Sequence, residues 1–212
     1  RWGLESGELP GGAMTFDVHA TGAMANPVAD LRVTVPRLTW SSRADLPRGA
    51  DLSAPRIVLT DVAATSRVTL ASANVGEIRF GIAGGQVTGT ALIPFDESPA
   101  HLNASWSEID ATLLTNAVVG AIDVAPAGCL SGDLEAAGPL AHVLKWSASL
   151  RLHADAAATS RGRVAVPGDT RLQLDDGRWR IDGRHRAGGV VPLAVVAAGR
   201  VDEAAIANST VT

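Results

Sequence analysis

The chain has 212 residues, a formal net charge of -4 and 46% hydrophobic residues, which is typical of a folded protein and excludes a disordered one. Its charges are scattered singly along an acidic chain, so nucleic acid, which requires a basic surface, is excluded as a partner. The single cysteine, Cys129, excludes an internal disulfide and any multi-cysteine metal site. Aromatic residues make up only 4%, so alanine, valine and leucine supply most of the apolar surface.

Neither the longest apolar run nor the first residues have the pattern of a membrane-spanning helix or a signal peptide. The longest apolar run, residues 187–199, is too short for a membrane-spanning helix and contains Pro192, and the first residues lack a signal-peptide pattern. Because the chain begins at Arg1 without a methionine, we expect it to be a piece of a longer protein.

Alternation of apolar and polar residues predicts β-strands along most of the chain. In "MTFDVHATG", the residues Met14, Phe16, Val18 and Ala20 fall on one face of a half-buried strand. The same pattern predicts strands in "LRVTV" from Leu31, "RIVLTDV" from Arg56, "SRVTLAS" from Ser66, "EIRFGI" from Glu77, "HLNASW" from His101 and "SASLRLHA" from Ser147.

One segment has helical spacing instead. In "SEIDATLLTNAVVG", apolar residues recur at intervals of three and four, which predicts a helix with Ser107 as N-cap and Gly120 as its stop. Between Gly162 and Ala198, turn signals at "PGD", "DDG" and "AGG" separate "RVAV", "RLQL", "RWRIDG" and "VVPLAVVA". These signals predict a meander of hairpins.

Several of these strands share a frame in which a glycine stands at each end. The segments "GAMTFDVHATG", "GCLSGDLEAAG" and "GVVPLAVVAAG" end at Gly22, Gly138 and Gly199, and a weaker copy, "NVGEIRFGIAG", ends at Gly84. The intervals between these glycines predict a repeat of about 60 residues, long enough for four or five strands. The approximate units are 12–73, 74–127, 128–188 and an incomplete 189–212.

The sequence offers little for catalysis. No GxSxG motif is present, and the five histidines occur singly without metal-binding spacing, so we expect neither a catalytic site nor a metal or other cofactor. Asp175 and Asp176 are explained by turn chemistry, since Asp and Gly are favoured where the backbone turns tightly.

The predicted sheet has one apolar and one polar face, and the apolar face must be covered. Alternation alone does not distinguish a sandwich or solenoid, which covers that face with its own residues, from an open groove that binds hydrocarbon chains. Without further information the first of these is the commoner solution.

Residues 109–154 resemble the repeat of the AsmA-like superfamily and, within it, the TamB family of translocation and assembly module subunits. The family pattern places a short helix before "GxLSGxLxLxGTLxxPxWxxxLxL", and this chain departs from it at His142 and Val143. The matching residues are Gly128, Leu130, Ser131, Gly132, Leu134, Gly138, Leu140, Trp146, Leu150 and Leu152.

The resemblance implies a mainly β fold, an elongated antiparallel sheet curled into an open groove (a β-taco) built from the repeats, with one short helix. It implies a periplasmic segment of an inner-membrane-anchored protein of a diderm bacterium, with the anchor elsewhere in the full chain. The implied ligands are phospholipid acyl chains moving between the two membranes, and the implied partner is an outer-membrane barrel protein whose assembly it supports.

The groove would be lined by aliphatic and aromatic residues of six strand segments. A charge such as Val18→Glu or Phe80→Asp is expected to block transport. The alternative is a secreted β-solenoid or adhesin-like module whose core is filled by its own side chains. The predicted lining residues are Met14, Phe16, Val18, Leu31, Val33, Ile78, Phe80, Ile82, Leu134, Leu150, Leu152, Val191, Leu193 and Val195.

Overall fold

A computed structural model of the chain describes residues 13–41, 56–118, 125–142, 145–155, 163–188 and 190–200. Within these ranges the fold is mainly β, as predicted, with one short helix, α1 (Ala111–Val118). The strands are β1 (Thr15–Thr21), β2 (Val28–Ser41), β3 (Arg56–Val68), β4 (Ser72–Ile82), β5 (Gly85–Pro94), β6 (Ala100–Asp110), β7 (Ala125–Ala127), β8 (Cys129–Gly138), β9 (Ser147–Ala154), β10 (Arg163–Ala165), β11 (Gly168–Asp175), β12 (Arg178–Ala187) and β13 (Val191–Arg200).

Eleven of these strands form one antiparallel sheet in the order β1-β2-β3-β4-β5-β6-β8-β9-β11-β12-β13. Strand order follows chain order except that β7 and β10 leave the sheet and pair with each other in parallel. The described strands form an open sheet, in which no curl is detected, with β1 at one edge and β13 at the other.

The turn at "DDG" is confirmed. It joins β11 to β12 through Asp176 and Gly177, whose φ angles are 46° and 72°. Two successive positive φ angles define the type I′ turn, which matches the twist of the strands it connects. Asp and Gly are the residues that adopt this conformation at least cost, so the sequence signal has a direct backbone cause.

The predicted helix exists, but its predicted start is wrong. Ser107 lies in β6, which continues to Asp110 because Ile109 and Asp110 pair with Leu130 and Cys129 of β8. The N-cap is Asp110, whose Oδ1 accepts a hydrogen bond from the backbone N–H of Leu113 at 2.8 Å. The predicted stop at Gly120 lies outside the described residues.

The predicted hairpin between "RVAV" and "RLQL" is also wrong. Residues 163–165 form β10, which pairs in parallel with β7, whereas β11 pairs with β9. Because β9 occupies the position beside β11, the main sheet has no place there for β10. The "PGD" segment therefore links two different sheets instead of two strands of one hairpin.

The large sheet has two different ends. At the upper end, where β1, β3, β5, β8 and β11 finish, turns connect the strands. At the lower end, α1 contacts β3, β6 and β7. Through β7 it adjoins the two-stranded sheet of β7 and β10. Among the described residues the buried hydrophobic side chains are few and lie mostly at this lower end: Val35, Ile109, Ala111 and Ala165, with Ala100 at the upper end. The core is therefore confined largely to one margin of the sheet.

The repeat of about 60 residues is not shown by the structure. The four glycine-bounded segments coincide with β1, β4, β8 and β13, but β4 runs opposite to the other three. Gly22 and Gly84 have positive φ in turns, whereas Gly138 lies within β8 and Gly199 within β13. The four segments thus differ in strand direction and in the conformation of their closing glycines, so they are not equivalent units of the sheet.

Candidate functional site

The strand register identifies one face of the sheet that is apolar across its full width. Residues directly opposite each other in an antiparallel pair project from the same face, so a face can be followed from strand to strand. One such row contains no polar side chain; we call it the central row. It consists of Phe16, Val33, Ala64, Ile78, Gly89, Ala104, Leu134, Leu150, Leu172, Ile181 and Ala197.

The central row crosses eleven strands, so its length is about 48 Å at the usual strand spacing of about 4.8 Å. A neighbouring row, from Val18 on β1 to Gly199 on β13, is interrupted by a polar side chain only at Ser66. We call the surface formed by these rows and their neighbours the apolar face.

The register brings the predicted lining residues of the paired strands together on the apolar face, whereas Met14 lies just before β1 and has no register partner. Those on the two edge strands are the most exposed: Phe16 of β1 is 56% exposed and Val191 of β13 is 61% exposed. Those on interior strands, such as Ile78, Leu134 and Leu150, are half-buried among their neighbours. The apolar face is therefore a surface that remains accessible along its length.

The sequence-based prediction left out several residues of this face. Ala64, Gly89 and Ala104 were missed because small residues and glycine carry little hydrophobic signal, and β5 was not predicted at all. Leu172 and Ile181 lie in segments that were predicted as strands but were not assigned to the lining. The alternation of apolar and polar residues in these segments could have placed them on the apolar face.

Tryptophan covers glycine at three places on the apolar face. Trp106 lies opposite Gly132, and Trp179 lies opposite Gly199. A Cβ added to Gly199 would come 2.6 Å from Cζ2 of Trp179, and one added to Gly138 would come 2.5 Å from Cγ of Trp146. Each indole therefore occupies the space that a larger residue would fill. This arrangement, an aromatic side chain that shields a glycine on the next strand, stabilises strand pairs.

One polar pair stands within the apolar face near its lower end. The Nδ1 of His185 is 3.2 Å from the carbonyl oxygen of Val166, and its Nε2 is 2.7 Å from the hydroxyl of Thr170. Since a carbonyl oxygen only accepts, Nδ1–H donates to it, and in the neutral ring Nε2 accepts from Thr170. Both ring nitrogens are thus satisfied within the protein.

The opposite face is polar and charged. Across β8, β9, β11 and β12 its central residues are Asp133, Arg151, Arg171 and Asp182. They line a depression of about 920 Å³. The ion pair between Arg151 and Asp133, at 3.7 Å, is solvent-exposed, and exposed pairs contribute little to stability. This depression is therefore lined mostly by residues of the polar face.

Two exposed groups of the polar face, Asp30 and His153, have pKa values shifted from their ordinary ones. The guanidinium of Arg67 donates to the carboxylate of Asp30 at 2.8 and 3.3 Å, which lowers the pKa of Asp30. On the other half of the sheet, the hydrogen bond of 2.8 Å between Nδ1 of His153 and Asp169 raises the pKa of His153. Both shifts come from surface ion pairing, which is typical of a solvated face.

The described part of the chain holds no group of three or more His, Cys, Asp or Glu side chains placed to bind a metal ion. None of its helices has the length and apolar character to cross a bilayer. Comparison with protein-family models, curated proteins and solved structures gave no match.

Proposed function

We propose that this chain is a non-catalytic segment of an AsmA/TamB-like envelope protein, whose apolar face carries phospholipid acyl chains between the inner and outer membranes. The observation that carries the proposal is the central row, which presents only apolar side chains and glycine on all eleven strands. Among the described residues no layer covers this face, and an uncovered apolar face of this width requires an apolar occupant.

Acyl chains suit this face energetically. Full burial of a methylene group contributes about 0.8 kcal/mol, and a sheet covers a chain from one side only, so about 0.4 kcal/mol per methylene is expected. Ten methylenes then contribute about 4 kcal/mol, enough to hold a chain against the face. Because the row offers similar side chains on every strand, this energy changes little as the chain moves along it. Such a surface supports transfer without trapping the ligand.

The glycines and tryptophans of the apolar face fit the same role. Gly132 and Gly199 have no side chain, and the indoles of Trp106 and Trp179 fill the space above them. We propose that in the longer protein the sheet continues through further units of about 60 residues and curls with this face inside. The groove would then shield the acyl chains while the polar face contacts the periplasm. Support of outer-membrane protein assembly, with a barrel protein as partner, belongs to the same proposal.

The proposal is tested by native mass spectrometry of the 212-residue chain produced in the periplasm of a diderm bacterium. Wild type should carry phospholipid, and Phe80→Asp should carry much less, since a carboxylate on the apolar face repels hydrocarbon. Thr88→Asp is the matched control, because Thr88 lies next to Val87, the register partner of Phe80, but on the polar face.

Two results would contradict the proposal. A folded monomer without lipid would favour the β-solenoid or adhesin-like module with a self-filled core. A lipid-free dimer that Phe80→Asp dissociates would show that a second copy covers the apolar face.

A further inference from the structure

Arginine is concentrated in one part of the polar face, around the depression of about 920 Å³. The depression lies over β8, β9, β11 and β12, and its lining holds four arginines against three aspartates. This part of the face therefore has a positive excess, although the net charge of the whole chain is -4. The charged residues in question are Arg151, Arg171, Arg180 and Arg184, with Asp133, Asp169 and Asp182.

Two of these arginines face each other directly. Arg151 of β9 and Arg171 of β11 are register partners, so their side chains leave the same face with Cβ atoms about 5 Å apart. Like charges in this position repel each other and destabilise a strand pair. An anion bound between the two guanidinium groups would remove that repulsion. The pair therefore points to a ligand of negative charge.

The carboxylates of the lining neutralise the arginines only in part. Asp133 lies 3.7 Å from Arg151, and Asp169 accepts a hydrogen bond of 2.8 Å from His153. The other arginines of the lining have no carboxylate within ion-pair distance among the described residues, so their guanidinium groups can bind a ligand. They are Arg171, Arg180 and Arg184.

The register places these three arginines around one point of the depression. Asp182 of β12 lies opposite Arg171 of β11. Arg180 and Arg184 stand two positions to either side of Asp182, on the same face. Diagonal neighbours across a strand pair are about 7 to 8 Å apart, which long side chains can span. Guanidinium groups from β9, β11 and β12 can therefore meet around a single small ligand.

We propose that this depression is a binding site for a small, soluble phosphate monoester. Such a group has three terminal oxygens and about two negative charges at neutral pH, and so it engages several guanidinium groups at once. Arginine suits it, because the guanidinium group donates two parallel N–H bonds to a pair of phosphate oxygens. Gln173 and Ser131, which also line the depression, offer hydrogen bonds to the polar remainder of the ligand.

The site lies on the side of the sheet opposite to the central row. Arg171 precedes Leu172 on β11, and successive side chains of a strand project from opposite faces. Phosphate binding and acyl-chain binding therefore use different residues. The inference goes beyond the proposed function and does not depend on it.

A free ligand suits the site better than the surface of a membrane. Glu135 and Asp155 are exposed beside the depression, where a bilayer that covered this face would contact them. An anionic bilayer would repel both carboxylates. A small ligand reaches the guanidinium groups without covering the rest of the face.

The test is isothermal titration of the 212-residue chain, in a buffer without phosphate, with glycerol phosphate. Wild type should bind, and Arg171→Gln should bind about tenfold more weakly through loss of charge-assisted hydrogen bonds. Arg171→Gln should stay folded in urea unfolding, because it removes the repulsion with Arg151. Dimethyl phosphate, which has one charge and two terminal oxygens, should bind much more weakly to wild type.

The matched control is Arg32→Gln. It removes the same charge from the polar face, but Arg32 lies on β2 opposite Asp17, outside this depression. Its affinity for glycerol phosphate should equal that of wild type. The inference is overturned if wild type does not bind glycerol phosphate or if the two substitutions weaken binding equally. It is also overturned if wild type binds only vesicles that contain phosphatidic acid, because the ligand would then be a membrane.

A second comparison separates this inference from the proposed function. Phe80→Asp should lose co-purifying lipid and still bind glycerol phosphate like wild type. Arg171→Gln should keep its lipid and bind glycerol phosphate weakly. Loss of both ligands in either variant that remains folded would contradict two separate sites.

Discussion

The substitution Leu172→Asp places a charge at the centre of the apolar face. Leu172 lies between Leu150 of β9 and Ile181 of β12 in the central row, and it is half-buried there. A carboxylate within hydrocarbon costs about 2.5 to 3.5 kcal/mol on an insertion scale, and the lost leucine removes a further favourable contact. The affinity for an acyl chain that covers this position should therefore fall about 100-fold.

The folded protein should tolerate this change. The apolar face is open to solvent in the absence of ligand, so the new carboxylate stays hydrated and the cost is the partial burial of one leucine, about 1 kcal/mol. Urea unfolding should show a loss of that size. The assay for binding is titration of the protein with a fluorescent phospholipid, followed to saturation.

The matched control is Gln173→Asp. Gln173 follows Leu172 on the same strand but projects from the polar face, opposite Ser149 and Arg180. A carboxylate there lies near a guanidinium and away from any acyl chain, so lipid affinity should equal that of wild type. The reasoning is refuted if Leu172→Asp folds and binds lipid like wild type, or if both substitutions weaken binding equally.

Three further predictions concern stability. Gly199→Ala should lower the free energy of unfolding in urea by about 1 to 3 kcal/mol, because the added Cβ would overlap the indole of Trp179. In a Trp179→Ala background this loss should largely vanish. Equal losses in both backgrounds would exclude the overlap. Asp110→Ala should cost about 1 kcal/mol through loss of the N-cap of α1, whereas Asp110→Asn should cost little; equal losses would argue against capping. The hydrogen bond to Asp169 raises the pKa of His153, and the stability that this contributes is complete below pH 6.5 and is lost as the pH rises through the folded-state pKa. Asp169→Asn should therefore lower the pKa of His153 in an NMR titration. An unchanged pKa would rule out Asp169 as the cause.

The sequence predicted strand content and side-chain direction well, because both follow from local alternation. The turn at Asp176 and Gly177 was predictable for the same reason, since two positive φ angles demand such residues. The predicted lining residues of the paired strands fall on one face because alternation assigned the apolar positions of each strand to the same side.

The errors arose where pairing between distant segments decides the structure. Residues 107–110 have helical spacing but are extended, because β8 extends β6 by pairing with Ile109 and Asp110. Residues 163–165 alternate like a hairpin strand, yet they pair with β7, which is distant in sequence.

The most direct measurement of the central claim is photo-crosslinking in living cells from two adjacent positions of β8. Leu134 belongs to the central row, and Asp133 projects from the polar face opposite Arg151. With a photoreactive phenylalanine analogue at either position, the account predicts phospholipid adducts from position 134 and none from position 133. Equal adducts from both positions, or only protein adducts from position 134, would contradict it.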